Sequence, residues 1–256
     1  MYMVNTEANR QYKNAAKALT MTVVLVAGTE LSIAGNLEEI AEPTVLAPAP
    51  ATELDLNGFY AGGSLAYAFG QDDEVGHTDP NGRFVANAGT FEPEGLNYGL
   101  RLGWRNNLPL PSGGRLFVYG FELGYDFSDI EDSFSTAAYD ASTEIESVLS
   151  LKYKGGITNS KKNTLFYTTL GYINTEFDYD VNGATGGDTI ALNGSDNQGG
   201  LVFGLGVERA INQNLSALLE WEYNYINSFT LRDSAGASTV VTPSFNNIRL
   251  GLNYSF

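Results

Sequence analysis

Glu220 and Glu222, separated by one residue, are the two carboxylates whose spacing could support acid–base chemistry. In an extended strand, residues two apart point to the same face and lie about 7 Å from each other. Carboxyl groups about 6.5–9.5 Å apart serve as acid and base in inverting glycoside hydrolases. Arg249, on a later segment of similar pattern, is an available counter-charge. We therefore interpret the two glutamates as members of ion pairs and predict no catalytic residue.

His77 is the single histidine, and it lies in the acidic segment DDEVGHTDP. A nucleophile of the serine–histidine type needs a base that a rigid scaffold holds in place. We expect His77 to be a solvated loop side chain, which argues against a hydrolase. The nearby Asp72, Asp73, Glu74 and Asp79 offer oxygen ligands for Ca²⁺ or Mg²⁺, but they lack the spacing of a calcium loop. We predict neither a metal site nor a cofactor.

The composition excludes several classes of protein. The 256 residues include 30 acids and 14 bases, whereas phosphate binding needs a cationic face, so we expect no nucleic-acid partner. The absence of cysteine excludes disulfides and cysteine-based zinc sites. Hydrophobic residues make up 43% of the chain, which is ordinary for a soluble protein. A β-barrel keeps such a composition because its apolar and polar residues alternate.

The N-terminal segment has the layout of a secretory leader. Three bases between residues 10 and 17 precede an apolar run at 18–28, and Ser32 and Ala34 supply the small residues of a cleavage site. The apolar run is too short to cross a membrane as a helix. We therefore predict a cleaved signal peptide over 1–34.

The next segment, 35–56, is rich in proline, alanine and glutamate, and we predict an extended periplasmic spacer. From residue 57 to 256 the chain alternates apolar and polar residues in successive segments, joined by connections that are short and long in turn. This asymmetry is typical of outer-membrane barrels. The predicted fold class is all-β, a closed antiparallel eight-stranded transmembrane barrel. Its predicted strands are 59–69, 96–104, 116–127, 144–154, 164–179, 200–208, 215–227 and 245–256.

In five of these segments (96–104, 116–127, 200–208, 215–227 and 245–256) the mid-strand charged residues fall on one face, and only Arg209, at a strand end, departs from this. The opposite face is apolar and carries aromatic residues near the strand ends, as the lipid-facing side of a barrel does. Lipid offers no partner to an open strand edge, so the sheet must close and the charged face must line the lumen. The predicted lumen charges are Arg101, Arg105, Glu122, Asp126, Glu146, Lys152, Lys154, Glu208, Glu220, Glu222 and Arg249.

A barrel of about eight strands is just wide enough to be filled by its own side chains. We therefore predict a structural ion-pair network rather than the lining of a channel. If the membrane ends of the last hairpin align, Leu215 lies opposite Phe256, which places Glu222 opposite Arg249.

Three further members of the predicted network lie on three other strands. Arg101 and Glu122 are expected as diagonal neighbours on the second and third strands, and Lys152 of the fourth strand is expected to reach Glu122. Glu220 shares the lumen face of Glu222 and completes the network.

The chain resembles small outer-membrane β-barrel proteins of alphaproteobacteria, which are grouped with the OmpA transmembrane domain, OmpX and the opacity-type surface proteins. The matching segments are the opening GFYAGGSLAYAFG, the pieces FELGYDF and TTLGYIN, and the closing NIRLGLNYSF. The resemblance implies an outer-membrane location with periplasmic termini, contact with lipid and lipopolysaccharide, and insertion by the barrel-assembly machinery. It also implies that Phe256, with Tyr254 and Leu252 at alternate positions, is the assembly signal.

The function expected from these patterns is non-enzymatic: a barrel that supports envelope integrity and presents acidic surface loops. The first alternative is a narrow pore or small-molecule channel. An adhesin with an unknown external ligand and a lipid-modifying enzyme barrel are further alternatives.

Overall fold

The computed structural model describes residues 53–111 and 113–256. The predicted signal peptide over 1–34 and the first part of the predicted spacer lie outside these residues. The strands of the described part are β1 (Gly58–Gly70), β2 (Asp73–Thr78), β3 (Phe84–Phe91), β4 (Glu94–Pro109), β5 (Leu116–Ser135), β6 (Tyr139–Thr158), β7 (Thr164–Thr185), β8 (Asp188–Ala210), β9 (Leu215–Ile226), β10 (Phe229–Arg232), β11 (Ser238–Val241) and β12 (Ser244–Ser255).

Eight of these strands form a closed barrel in the order β1-β12-β9-β8-β7-β6-β5-β4. Closure is made by β1, which pairs antiparallel with both β12 and β4. All eight predicted strands are present, and the prediction of an antiparallel up-and-down barrel is confirmed. In the described ranges no helix is long and apolar enough to cross a membrane.

Within the part of the barrel that carries charges, each strand turns large apolar side chains outward and its charged side chains inward. On β4, for example, Leu100 and Leu102 are exposed while Arg101 between them is buried. Pleating alone places successive side chains on opposite faces, so the alternating sequence is sufficient to produce this arrangement. The exposed apolar rows together form a continuous belt around the barrel, as a lipid-facing surface requires.

The strands β5 to β8 are 20–23 residues long, about twice the length that crosses a membrane. Beyond Phe127, Leu149, Tyr172 and Leu201, the outer face carries no further large exposed apolar residue of these strands. The sequence prediction ended or began two of these strands, 116–127 and 200–208, at that boundary, and carried the strands 144–154 and 164–179 a few residues past it. The segments expected as loops instead continue as paired β-hairpins beyond the apolar belt.

The remaining four strands form a second sheet in the order β10-β11-β2-β3, from segments that were expected to be loops. We call these four strands and the parts of β5–β8 beyond the belt the extension. Its core is a separate apolar cluster that includes Val75, Phe91, Tyr179, Val181 and Val241. The long connections are therefore a folded structure with a core of its own.

The expectation that His77 is a solvated loop side chain is wrong. His77 lies on β2 with 0% of its surface exposed, and its Nδ1 shares a hydrogen bond of 2.9 Å with the Tyr139 hydroxyl. The residue is buried because β2 pairs with β3 and packs its inner face on the extension core. The acidic residues beside His77 in the sequence indicated exposure to solvent. Pairing between distant segments buries the side chain instead.

Glu146 was expected inside the lumen, and the structure places it on the outer face. A bulge in the β6–β7 pairing between Ile145 and Ser147 shifts the alternation by one residue. Ile145 and Val148 are therefore both buried, although strict alternation would give them opposite faces. Glu146 therefore lies outside the lumen because of one extra residue in β6, which the pattern of apolar residues does not reveal.

The lumen is built in three layers along the barrel axis. At the end with the short turns, Leu54 and Leu56 pack with Val118, Leu165 and Tyr167. Leu54 and Leu56 belong to the last residues of the predicted spacer, so this part of it joins the barrel core. At the opposite end, an apolar cluster fills the lumen below the extension, with Ala68, Ile130, Ile145, Val148, Ile173, Phe177, Val202, Ile226 and Phe245. The charged side chains lie between these two apolar layers.

Candidate functional site: the charged layer of the lumen

The charged layer contains five bases and five acids, which balance one another. The bases are Arg101, Arg105, Lys152, Lys154 and Arg249, and the acids are Glu122, Asp126, Glu208, Glu220 and Glu222. The chain as a whole has a net charge of −16, so its acid excess lies outside this layer. A neutral set of charges is what a dry, narrow interior requires, because an unpaired ion there is costly.

Arg249 of β12 holds the most extensive set of contacts. Its Nη1 and Nη2 atoms each lie 2.7 Å from an oxygen of Asp126, which gives a bidentate pair. Its Nε and Nη2 donate to Glu222 at 3.1 and 3.0 Å, and Nη1 donates to the Ser64 hydroxyl at 3.0 Å. All three guanidinium nitrogens of this fully buried residue are therefore satisfied.

The predicted contact between Arg249 and Glu222 is present, but the predicted register of the last hairpin is wrong. Arg249 lies opposite Glu220, and Glu222 lies diagonally, two residues along β9. The prediction aligned Leu215 with Phe256, whereas Leu215 pairs with Tyr254 and β12 extends past the end of β9. Diagonal residues on one face stay within reach of a long side chain, so the contact survives the shift.

Arg101 contacts two glutamates that lie far apart in the sequence, on β5 and β9. Its Nη1 lies 3.4 Å from Glu122 and 3.3 Å from Glu220. In the β4–β5 register Arg101 faces Gly124, which makes Glu122 its diagonal neighbour, as expected. Lys154 contacts the same two glutamates at 2.9 and 3.4 Å.

Lys152 was expected to reach Glu122, and this expectation is wrong. Lys152 and Glu122 are register partners on β6 and β5, but the ammonium group pairs with Glu222 across the lumen. Lys154 takes the place beside Glu122. Sequence spacing identifies which residues face the lumen, but only the filled interior determines which acid each base meets.

Neutral side chains complete the layer, and several of them were missed. The Tyr60 hydroxyl donates to Glu122 at 2.8 Å, and the Thr169 hydroxyl donates to Glu220 at 2.8 Å. Tyr60 shares its face of β1 with Gly62 and Ser64, so the alternation of that strand could have identified it. Thr169 offers no comparable sequence signal.

A second, smaller group of polar contacts closes the layer towards the short turns. Arg105 donates to Glu208 at 3.0 Å, to the Ser255 hydroxyl at 2.8 Å and to the backbone oxygen of Asp55 at 3.0 Å. Its guanidinium carbon lies 4.9 Å from the centre of the Tyr60 ring. Arg105 thereby links the chain entering the barrel to the closing strand.

Glycines on the lumen face make room for these long side chains. A Cβ atom on Gly99 would lie 1.9 Å from an Asp126 carboxylate oxygen, and one on Gly103 would lie 2.1 Å from the Tyr60 ring. Both distances are far below van der Waals contact. The glycines of the polar face therefore serve the packing of the charged layer.

Glu220 and Glu222 face the lumen together, but both are occupied. Glu220 accepts from Arg101, Lys154 and Thr169, and Glu222 contacts Lys152 and Arg249. The acids near His77 do not converge either: among the described residues, no group of three or more potential ligands could hold a metal ion.

The predicted assembly residues Leu252, Tyr254 and Phe256 share the outward face of β12 and its end. Phe256 is 73% exposed, and its amide donates to the Phe59 oxygen at 3.1 Å. They therefore lie on the lipid-facing side at the end of the barrel with the short turns.

A closed barrel with an apolar outer belt and a filled polar lumen defines an integral outer-membrane β-barrel. The chain belongs to the outer membrane protein beta-barrel domain family, whose model matches residues 43–256. It is accordingly a protein of the Gram-negative outer membrane.

The chain is similar to the 31 kDa outer-membrane immunogenic protein of Brucella melitensis, with 25% identity over 233 residues, 85% of this chain and 90% of that protein. Among solved structures it is similar to the outer membrane protein OprG from Pseudomonas aeruginosa, with 14% identity and a TM-score of 0.47, over 80% of this chain and 99% of that one. Neisserial surface protein A gives 15% identity and a TM-score of 0.45, over 78% of this chain and 98% of that one.

Proposed function

We propose that this protein is a non-conducting, non-enzymatic barrel that supports the integrity of the outer membrane and presents an acidic folded extension at the cell surface. The observation that carries the proposal is the neutral charged layer, enclosed between two apolar layers of the lumen. Such an arrangement favours a structural role, since it joins strands across the barrel and leaves little room for a solute.

The dimensions of the interior support a closed barrel rather than the alternative of a narrow pore. Two of the cavities that the described residues line have volumes of about 10 and 20 Å³, which is room for one water molecule each. Water-filled lumens belong to barrels of about sixteen strands. Opening a path here would require separating ion pairs such as Arg249–Asp126.

The candidate residues for enzymatic chemistry support the same proposal. His77 is buried against Tyr139, so it is not available as a base at a substrate site. Glu220 and Glu222 are each held by cations inside the lumen. A lipid-modifying reaction would need an accessible nucleophile and base at the barrel rim.

We place the short turns in the periplasm and the extension outside the cell, following the asymmetry of outer-membrane barrels. In this orientation the exposed acids of the extension, such as Glu74 and Glu131, face the exterior and the lipopolysaccharide. The barrel-assembly machinery would insert the chain through its closing strand, and any external ligand would meet the extension first.

The proposal is tested by the conductance of the purified protein in planar bilayers. We expect no stable open level at moderate voltage, whereas a large, sustained open-channel conductance would overturn the structural role in favour of transport. In parallel, a deletion strain should leak a periplasmic enzyme, and wild-type protein should restore retention. An unaltered envelope in the deletion strain would contradict the role in integrity.

A further inference from the structure

Four bases, three of them exposed and one half-buried, are grouped on one side of the barrel, at the end with the short turns. Arg115 precedes β5, Lys161 and Lys162 lie in the turn between β6 and β7, and Arg209 lies at the end of β8. Because β5, β6, β7 and β8 are neighbours in the barrel, these four residues form an arc, which we call the basic arc.

Direct contacts show that the segments carrying the basic arc adjoin one another. An added Cβ on Gly114 would lie 3.8 Å from the Ser160 oxygen, so the β4–β5 and β6–β7 turns touch. The Ala210 amide donates to the Asn163 oxygen at 2.9 Å, and Arg209 pairs with Thr164. The four bases thus belong to one continuous rim.

The rim borders the lipid-facing belt. Arg209 continues the outward row of Phe203, Leu205 and Val207 on β8, at the point where that row ends. Ile157 and Phe166 are exposed on the adjoining strands β6 and β7. A long basic side chain at such a border lays its aliphatic part on the apolar surface and its charge among lipid headgroups.

The basic arc retains a positive excess after local acids are considered. Lys162 lies 3.5 Å from Glu53, whereas Arg115, Lys161 and Arg209 form no salt bridge with any acid of residues 53–111 and 113–256. A lipid phosphate is an anion that such bases meet at the depth of the headgroups.

We propose that the basic arc binds the phosphate headgroups of anionic phospholipids in the leaflet at the short-turn end. The assignment of this leaflet to the periplasmic side rests on the orientation under the proposed function. The binding of phosphate headgroups by the basic arc does not depend on that orientation. Each base near an anionic surface adds to the attraction, and salt screens it.

The test uses the full mature protein in lipid nanodiscs that contain phosphatidylcholine with a minority of phosphatidylglycerol. Native mass spectrometry measures how many phosphatidylglycerol molecules stay bound. We compare Lys161→Gln/Arg209→Gln with the matched control Arg83→Gln/Arg232→Gln, which removes two bases from the extension. We expect the first variant to lower the preference for phosphatidylglycerol by about fivefold or more, and the control to leave it unchanged.

High salt should weaken the wild-type preference, and millimolar inorganic phosphate should not displace the lipid beyond its effect on ionic strength. Equal retention of both lipids by the wild type, or equal losses in both variants, would overturn the proposal. So would loss of cell-wall sacculus binding in Lys161→Gln/Arg209→Gln with lipid preference intact, which would assign the arc to peptidoglycan. A conducting wild type would contradict the proposed function without affecting this result.

Discussion

Arg249 and Asp126 form a bidentate ion pair across the lumen, with both nitrogen–oxygen distances at 2.7 Å. The two residues lie on β12 and β5, which are separated by β1 and β4 in the barrel order. The pair therefore joins strands that share no backbone hydrogen bond. Glu222 on β9 and Ser64 on β1 contact the same guanidinium, so one arginine connects four strands of the barrel.

The first prediction concerns this arginine. Arg249→Met should destabilise the barrel by about 3–5 kcal/mol, because Asp126 remains buried without its counter-charge. The midpoint of urea unfolding in detergent micelles, followed by the fluorescence of Trp104 and Trp221, measures the change. Arg249→Met/Asp126→Leu should recover part of the loss, since it removes both buried charges. An unchanged midpoint in Arg249→Met would show that the pair contributes nothing.

The second prediction concerns the close approach at Gly99. Gly99→Ala should lower stability by about 1–3 kcal/mol, because the new Cβ would lie 1.9 Å from Asp126 and displace its carboxylate from Arg249. Gly63→Ala is the matched control, since its nearest neighbour is a backbone oxygen at 3.8 Å. The same unfolding assay measures both variants. Equal effects of the two substitutions would contradict the steric explanation.

The third prediction concerns pH and the outer face of the extension. Repulsion by Asp178 raises the pKa of the Glu146 carboxyl above its ordinary value. The folded state therefore binds this proton more tightly than the unfolded state. It follows that stability rises as pH falls through the raised pKa and reaches its limit below the unfolded pKa.

The measurement is protease resistance of the extension, expressed as the ratio of variant to wild type at each pH. Glu146→Gln should be more resistant than wild type at pH above the raised pKa, and the two should converge at acid pH. Glu74→Gln, which changes an exposed acid on β2, is the control. A constant ratio for Glu146→Gln across the whole range would refute the repulsion.

The fourth prediction concerns assembly at the closing strand. Phe256→Asp should reduce the folded, heat-modifiable form in the membrane, measured by the mobility of unheated and boiled samples on gels. Phe59→Asp is the matched control, because Phe59 is 68% exposed at the same end of the barrel and its oxygen accepts from the Phe256 amide. Similar losses in both variants would attribute the defect to the lipid-facing charge rather than to a terminal signal.

The alternation of residue types was sufficient to predict the barrel, its eight strands and the faces of most charged residues. Arg101 and Arg249 could be placed in the lumen from sequence because pleating has a period of two and a charge cannot face lipid. The same argument failed at Glu146, where one extra residue in the bulge reverses the phase. The alternation of residue types predicts the face of a side chain only where the pairing between strands has no bulge.

The tertiary structure alone determined which acid pairs with which base in the lumen, and that the long connections fold into strands. Lys152 meets Glu222 and not its register partner Glu122, because long side chains in a closed barrel reach across the lumen as readily as along the wall. His77 is buried because β2 pairs with β3 and β11, and β11 comes from a segment about 160 residues further along the chain. The spacing of residues in the sequence predicts on which face of a strand each side chain lies. Contacts between distant segments form only in the folded barrel, so the sequence pattern does not predict them.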